Sequence, residues 1–389
     1  MVAAGSGRSA LVDSLRGAAL FGVVVMNALA YPHALGSPLG VVEPPDSALA
    51  LALHALASAL LQAKSYAFLA FLSGYAWAMQ SRGRHGERWR QGAEVRRARL
   101  LRQGALGIVH GLFVWFGDIL SWLALLGLLL LRAPRWRLRV LRGRIIAWFA
   151  LWGLLVLPLW AARIGFGSAG VPTAGAWATA EAQSWSALFA IQREGYLAYV
   201  IGAPWQVPMM LALGLLGVYA GRLRVLERAR VGARLWRAGR RVLLPLGLAG
   251  AVVQALLVVH GQRRLGGDFS FADLASQLTG PLLAAGVVLA LAGAWHARGP
   301  LPVLARCAPL GRLSLSAYVA HTLCCLALFS GTALGWAPAS ATLFALGVTW
   351  WASAALLAPV WLRYAGEGPL ERWVRGPGPG GGSRRNTTT

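Results

Sequence analysis

Few side chains in this sequence can move a proton at neutral pH, and two histidines sit where helical spacing gives them company. Arg99, Gln103, Gly107 and His110 follow one another at intervals of four, four and three, which places them on one face of a helix. A neutral imidazole so placed acts as a general base or a proton shuttle, so His110 is the candidate catalytic base. Asp118 comes eight residues later, about 12 Å further on if counted as helix rise, and is a second catalytic candidate. Ser314, Tyr318, His321 and Cys325 repeat the pattern at four, three and four. That makes His321 a third catalytic candidate and Tyr318 a candidate substrate contact. Each histidine also has a packing alternative, a hydrogen bond across helices that only ties the bundle together.

Other polar groups read as a path towards these. Asp13 and Arg16, three apart, pair on one helical face, and Asn27, eleven residues after Arg16, returns to nearly the same face. The stripe either leads inward from an anion site or is an Asp–Arg pair that fixes the helix end. Lys64, the one lysine, either snorkels to the headgroups or is a buried partner for Asp118. Gln103, with Arg99 and Arg102 beside it, completes the set of candidate substrate-binding residues. His33, His54 and His260 share one side of the topology given below, yet no spacing selects them as ligands, and no metal site is expected.

The elements that must hold these groups follow from composition. Of 389 residues, 57% are hydrophobic and 13% are charged, against roughly 25% charged in soluble domains. Eighteen tryptophans and long Leu, Ala and Val runs exclude a disordered chain. A net charge of +24 invites a nucleic-acid partner, but its 36 arginines lie in short clusters between apolar segments. A nucleic-acid surface gathers them on one soluble face among stacking aromatics, so none is expected. Cys307, Cys324 and Cys325 offer neither metal-ligand spacing nor a disulfide framework. The first apolar run lacks a small-residue cleavage site and is not read as a removable signal. What remains is an all-α polytopic transmembrane bundle.

Windows of about 20 apolar residues give ten candidate crossings. They are Ser14–Tyr31, Gln62–Gln80, Leu100–Trp115, Ile119–Leu131, Ile145–Ile164, Tyr196–Gly221, Val242–His260, Pro281–Ala297, Leu313–Gly331 and Ala339–Leu362. The third and fourth read as a tight hairpin turned at Phe116-Gly117-Asp118, and Ser47–Leu61 as a re-entrant or interfacial helix. Basic residues favour cytoplasmic loops. With the N-terminus inside, 32 arginines fall in inner segments and 4 in outer ones, which fits ten crossings with both ends cytoplasmic. The outer loop Gly165–Gly195 has room for a short interfacial helix at 183–189. Residues 1–375 read as one membrane domain and 376–389 as a flexible Gly/Pro-rich tail.

Four stretches carry a resemblance to a known family. They are the first helix from Leu11 to Asn27, Lys64-Ser-Tyr-Ala-Phe-Leu-Ala-Phe-Leu-Ser-Gly74, His110-Gly-Leu-Phe-Val-Trp-Phe-Gly-Asp-Ile-Leu120, and a C-terminal block within 222–375. That block contains Gly311-Arg-Leu-Ser-Leu-Ser-Ala-Tyr318 and Gly368-Pro-Leu-Glu-Arg-Trp-Val-Arg375. Together they resemble the YeiB-like family of bacterial membrane proteins, domain of unknown function 418. The resemblance implies a multi-pass protein of the inner membrane. The first helix is also similar to that of membrane acyltransferases of the heparan-alpha-glucosaminide N-acetyltransferase type, which pass an acyl group from cytosolic acyl-CoA to an acceptor across the membrane. His33 follows Asn27 at a shorter distance than that group's histidine does, so it does not take over that role.

The expected function is therefore acyl transfer, with acyl-CoA as co-substrate and no permanently bound cofactor. Arg16, Arg99 and Arg102 would attract the donor's phosphates. His110 would be the base, and Asp118 or Lys64 would shape the acceptor site. The expected partners are the bilayer and a small-molecule or lipid substrate. A transporter or flippase is the alternative, with Pro204 and Pro208 available to break the sixth helix. A structural or regulatory membrane protein is the third reading.

Overall fold

In hydrocarbon a backbone amide finds no water, so apolar runs of this length close their hydrogen bonds internally as helices. The computed structural model describes residues 9–32, 47–166, 182–202, 206–264 and 270–376, and among these it has sixteen α-helices and no strand. Ala10–Ala30 (α1) is the axis: 67% of its most apolar window is buried, against 11% for the window in Leu138–Phe166 (α6). Ala48–Leu60 (α2) and Lys64–Gln80 (α3) come between them in the chain, followed by Gly86–Phe113 (α4) and Leu120–Leu129 (α5). Trp185–Gly202 (α7), Val207–Leu223 (α8), Ala229–Ala238 (α9), Leu244–Arg264 (α10) and Ser270–Arg298 (α11) follow. Two short helices, Pro302–Arg306 (α12) and Ala308–Arg312 (α13), lead into Ser314–Phe329 (α14), Ser340–Tyr364 (α15) and Pro369–Arg375 (α16).

α1 packs against α3, α13, α14 and α15, while α3 pairs with α8 and α10 with α11. Leu154, Leu157, Leu256, Leu356 and Leu357 are exposed on α6, α10 and α15, an apolar periphery suited to acyl chains rather than water.

Among the described residues, six helical stretches are long and apolar enough to cross a membrane: Ala10–Ala30, Ala48–Gln80, Leu138–Pro158, Ala229–Gly261, Phe271–Arg298 and Ser340–Tyr364. A seventh arises if Pro302–Arg312 and Ser314–Phe329, bent by 82°, form one broken span. The expected crossings that fall outside this set have identifiable reasons. α4 is long but basic through its first half, and α5 has only 10 residues. Of the expected sixth crossing the structure describes α7, to Gly202, and α8, from Val207; Pro204 lies outside the described residues, as do the tail at 377–389 and loop residues 167–181. The run expected at 47–61 is α2, a helix separate from α3, although by length and composition Ala48–Gln80 counts as one 33-residue apolar stretch. That stretch is interrupted where Ala63 takes φ 62°, a left-handed conformation costing a residue with a side chain about 1–3 kcal/mol.

One crossing sets the geometry of the site. A Cβ on Gly17 would strike the carbonyl of Cys307, and one on Gly311 the carbonyl of Asp13. α1 and α13 therefore touch backbone to backbone, the contact that small residues permit in membrane bundles. Gly311→Leu should cost about 1–3 kcal/mol through overpacking and lower the thermal unfolding midpoint in detergent. Gly143→Leu, where a new Cβ meets nothing within 4 Å, should leave that midpoint unchanged.

Candidate functional site

The α1–α13 crossing, the ends of α3 and α5, the middle of α4 and the start of α14 surround a cavity of about 610 Å³. Seven arginines and three carboxylates line it. Each carboxylate is already engaged. Asp13 pairs with Arg16 at 3.4 Å and Glu367 with Arg375. Glu371 of α16 accepts from the backbone N–H groups of Leu315 and Ser316 at 2.8 and 3.1 Å and from the Ser316 hydroxyl. It thereby satisfies the N-terminus of α14 with a negative charge, where the helix dipole favours one. Arg82 is consumed by Glu227 at 2.6 Å and by the carbonyl of Gly221.

Arg16, Arg96 and Arg99 lie together on the α1–α4 side. Arg96 lies over the Trp77 ring at 4.6 Å, and its buried Nε has no hydrogen-bond partner among the described residues. Burial, together with the charges of Arg99 and Arg16, pushes the Arg96 pKa down from its ordinary value. A bound anion would relieve that repulsion. The rim, with Arg84, Arg99 and Arg312, is exposed, whereas the floor is made by the buried Leu20, Val23, Leu120 and Tyr318.

Behind the floor lies a buried polar chain. α4 ends after Phe113, and the backbone reverses through 114–119 before α5. The reversal overturns the 12 Å expectation: the Nδ1–H of His110 donates to Asp118 Oδ1 at 3.0 Å. The other Asp118 oxygen accepts from Ser121 N–H at 2.7 Å, so the carboxylate is held at both ends. Gly107 makes room, because a Cβ there would meet Asp118 Oδ2 at 2.8 Å and the Ser121 amide. The remaining ring nitrogen, Nε2, faces the hydroxyl of Thr322 at 2.8 Å. All three side chains are buried. The rings of His110 and Tyr318 are 5.2 Å apart, so Tyr318 separates this chain from the cavity. On the far side Tyr31 stacks on Trp115 at 4.8 Å and donates to the Val114 carbonyl at 2.7 Å, with Phe329 at 6.4 Å.

Five of the residues singled out in the sequence line one cavity: Asp13, Arg16, Arg99, Gln103 and Tyr318. Asn27 lies beside Tyr318 and does not line the cavity. His110 and Asp118 form the pair behind it. Three expectations are corrected. His321 does not line the cavity with Tyr318; it packs edge-on to Trp350 of α15 at 4.9 Å, with the Cys325 sulfur 3.5 Å from its Nε2. Three residues after Tyr318 fall about 60° short of a full turn, and four fall about 40° past it, so Thr322 turns towards His110 and His321 turns away. Thr322 was missed, although it continues the four-residue step from Ser314 through Tyr318.

Arg102 does not enter the cavity. It donates from Nε to the Val374 carbonyl and from Nη2 to the Arg375 carbonyl, both at 3.0 Å, and so caps the C-terminus of α16. Lys64 does not meet Asp118, which is held by His110. Its Nζ donates to Gln254 Oε1 at 2.6 Å and to the Ser58 carbonyl at 3.3 Å, within a second polar network joined through Gln62 to Asp273. His33 lies outside the described residues. Among those described, no three His, Cys, Asp or Glu side chains gather where they could hold a metal ion.

The pairing makes Asp118 sensitive to charge and shape in different ways. Asp118→Ala strands a buried imidazole N–H and the Ser121 amide, at about 1–3 kcal/mol each. Asp118→Asn keeps an acceptor for one of them. Thermal unfolding in detergent should therefore rank wild type above Asp118→Asn and Asp118→Asn above Asp118→Ala.

Comparison with known proteins agrees with the C-terminal motifs. Residues 220–376 match the family model described as "Protein of unknown function (DUF418)", a range that contains the C-terminal one of the four stretches. The uncharacterized protein YeiB of Escherichia coli (strain K12) is 26% identical over 398 aligned residues, covering 94% of this chain and 95% of the relative. The chain is thus similar to YeiB over nearly its whole length and to the DUF418 family model over residues 220–376.

Proposed function

We propose that this protein is a membrane-embedded acyltransferase that takes an acyl group from cytosolic acyl-CoA and delivers it to an acceptor at or across the membrane. The observation that carries this reading is the arginine-lined cavity whose floor backs directly onto an oriented imidazole. Arg16, Arg96 and Arg99 supply forked donors for the donor's phosphates. The aliphatic floor suits the acyl chain. His110, held in one tautomer by Asp118, accepts the proton of an attacking hydroxyl, and the aromatic layer of Tyr31, Trp115 and Phe329 keeps water from the far side.

The same reading takes residues 1–375 as one domain with ten crossings and both termini in the cytoplasm of a bacterial cell, in its inner membrane. α4, α5 and the α7–α8 pair then complete the crossings that length and composition alone do not assign. In this orientation the arginine rim faces the compartment that contains acyl-CoA.

The test is purified protein in proteoliposomes, with acetyl-CoA labelled in the acetyl group and bacterial lipid extract or glucosamine as acceptor. A labelled covalent product is expected. His110→Ala should slow its formation by about a hundredfold or more, the usual contribution of a general base. The Arg96→Ala/Arg99→Ala pair should instead raise the acetyl-CoA concentration needed for half-maximal rate. Unmodified label accumulating in the vesicle lumen would favour the transporter reading, for which the break at Ala63 beside buried Lys64 is the supporting feature. Neither product nor uptake would discard both.

A further inference from the structure

The acyl-transfer reading leaves the buried hydroxyl of Thr322 unused. Thr322 Oγ1 lies 2.8 Å from His110 Nε2, His110 Nδ1 lies 3.0 Å from Asp118 Oδ1, and the other Asp118 oxygen is fixed by the Ser121 amide at 2.7 Å. In the neutral ring a proton on Nδ1, directed at the carboxylate, leaves only a lone pair at Nε2. That lone pair faces the threonine hydroxyl, whose one hydrogen can turn either to Nε2 or to the helix carbonyls. Carboxylate, imidazole and hydroxyl stand in the order that activates a nucleophile, on three different segments: the α4–α5 turn, α4 and α14.

Thr322 Oγ1 also lies 3.0 Å from the Val319 carbonyl and 3.3 Å from that of Tyr318, the ordinary back-bond of a helical threonine. That bond alone would satisfy a hydroxyl that served only packing. It does not require a histidine held at its other nitrogen by a doubly anchored carboxylate. Position supports the same conclusion. Thr322 is one turn beyond Tyr318, which closes the cavity floor. His110 is seven residues, about 10 Å of helix rise, beyond Gln103 of the cavity wall. The hydroxyl therefore sits between the arginine cavity and the aromatic layer around Tyr31, where a group passing from one side to the other must pause.

We propose that Thr322 is the first acceptor of the acyl group, forming an acyl-threonine ester that is then transferred to the final acceptor. This rests on the acyl-transfer reading. In the first half, the Thr322 proton passes to His110 Nε2 as Oγ1 bonds to the thioester carbonyl carbon. The carbon–sulfur bond breaks, and the CoA thiolate leaves with the proton from the imidazolium. In the second half, an acceptor hydroxyl gives its proton to His110 and bonds to the acyl carbon. The Oγ1–carbon bond breaks, and the proton returns to Thr322. The sum is acyl-CoA and an alcohol giving free CoA and an ester, with no oxidant or reductant. Tyr318 must swing aside to admit the acyl group, and Asp118 acts as a positioning residue through His110.

The experiment uses full-length protein in detergent with labelled acetyl-CoA and no acceptor. A burst of free CoA, one equivalent per protein, is expected, with an alkali-labile acetyl group on the peptide containing Thr322. Thr322→Val, of nearly the same shape, should lose the burst and slow transfer to an added acceptor by about a hundredfold or more. Thr322→Ser should keep both within about tenfold, with the label on the new hydroxyl, and it decides the matter if the valine variant does not accumulate. Wild-type transfer with no burst and no labelled peptide, or transfer by Thr322→Val at the wild-type rate, would overturn the ester and leave the acyl-transfer reading standing. Label on another side chain, Cys325 included, would also overturn it. If wild-type protein neither releases CoA nor forms product, both fall together.

Discussion

Lipid offers no hydrogen bonds, so every polar group drawn into this bundle must find its partner on another helix. That constraint arranges the interior. A buried donor or acceptor left without a partner costs about 1–3 kcal/mol, and the two buried networks of this fold are matched accordingly. His110 is matched at both nitrogens and Asp118 at both oxygens. Lys64, far from both, is matched by Gln254 and Ser58. These matched sets hold together helices whose apolar surfaces, being as compatible with acyl chains as with each other, provide little reason to associate.

The cavity departs from that economy, which is why it reads as a site. Seven arginines meet three carboxylates there, and each carboxylate is already committed to a helix terminus or to a particular arginine. Arg102, close by in sequence, shows what a structural arginine looks like: both of its bonds end on the last carbonyls of α16. Arg96 contrasts with it, stacked on Trp77 with a buried Nε unmatched and two like charges alongside. Concentrated positive charge at the mouth and an apolar floor describe a ligand with an anionic head and an aliphatic end.

Helix periodicity made part of this legible in advance. Arg16, Arg99, Gln103 and Tyr318 line one cavity because each points from its helix in the direction that spacing dictates. The all-helical, membrane-like character followed from composition alone. The hairpin turn at 116–118 was also readable, since Gly and Asp interrupt two apolar runs. The consequence of the turn was not: treating eight residues as helix rise separated His110 from Asp118, when reversal of the chain brings them into hydrogen-bond contact. The choice between His321 and Thr322 on α14 failed for a related reason. They are adjacent in sequence, and only the neighbour each one meets distinguishes them.

Residue type and spacing, then, determined which side of its own helix each group occupies, because 3.6 residues per turn is a local property of the backbone. What faces that side depends on how close the helices can come and at what angle. Those quantities are set by pairs such as Gly17 and Gly311, far apart in the chain, and by the 82° bend before α14. Tertiary structure alone therefore decided that Lys64 joins Gln254 rather than Asp118, that Arg102 caps a helix rather than a ligand, and that a threonine completes the chain behind Tyr318. Each of these is a meeting of residues many positions apart in the chain, and no local rule encodes such a meeting.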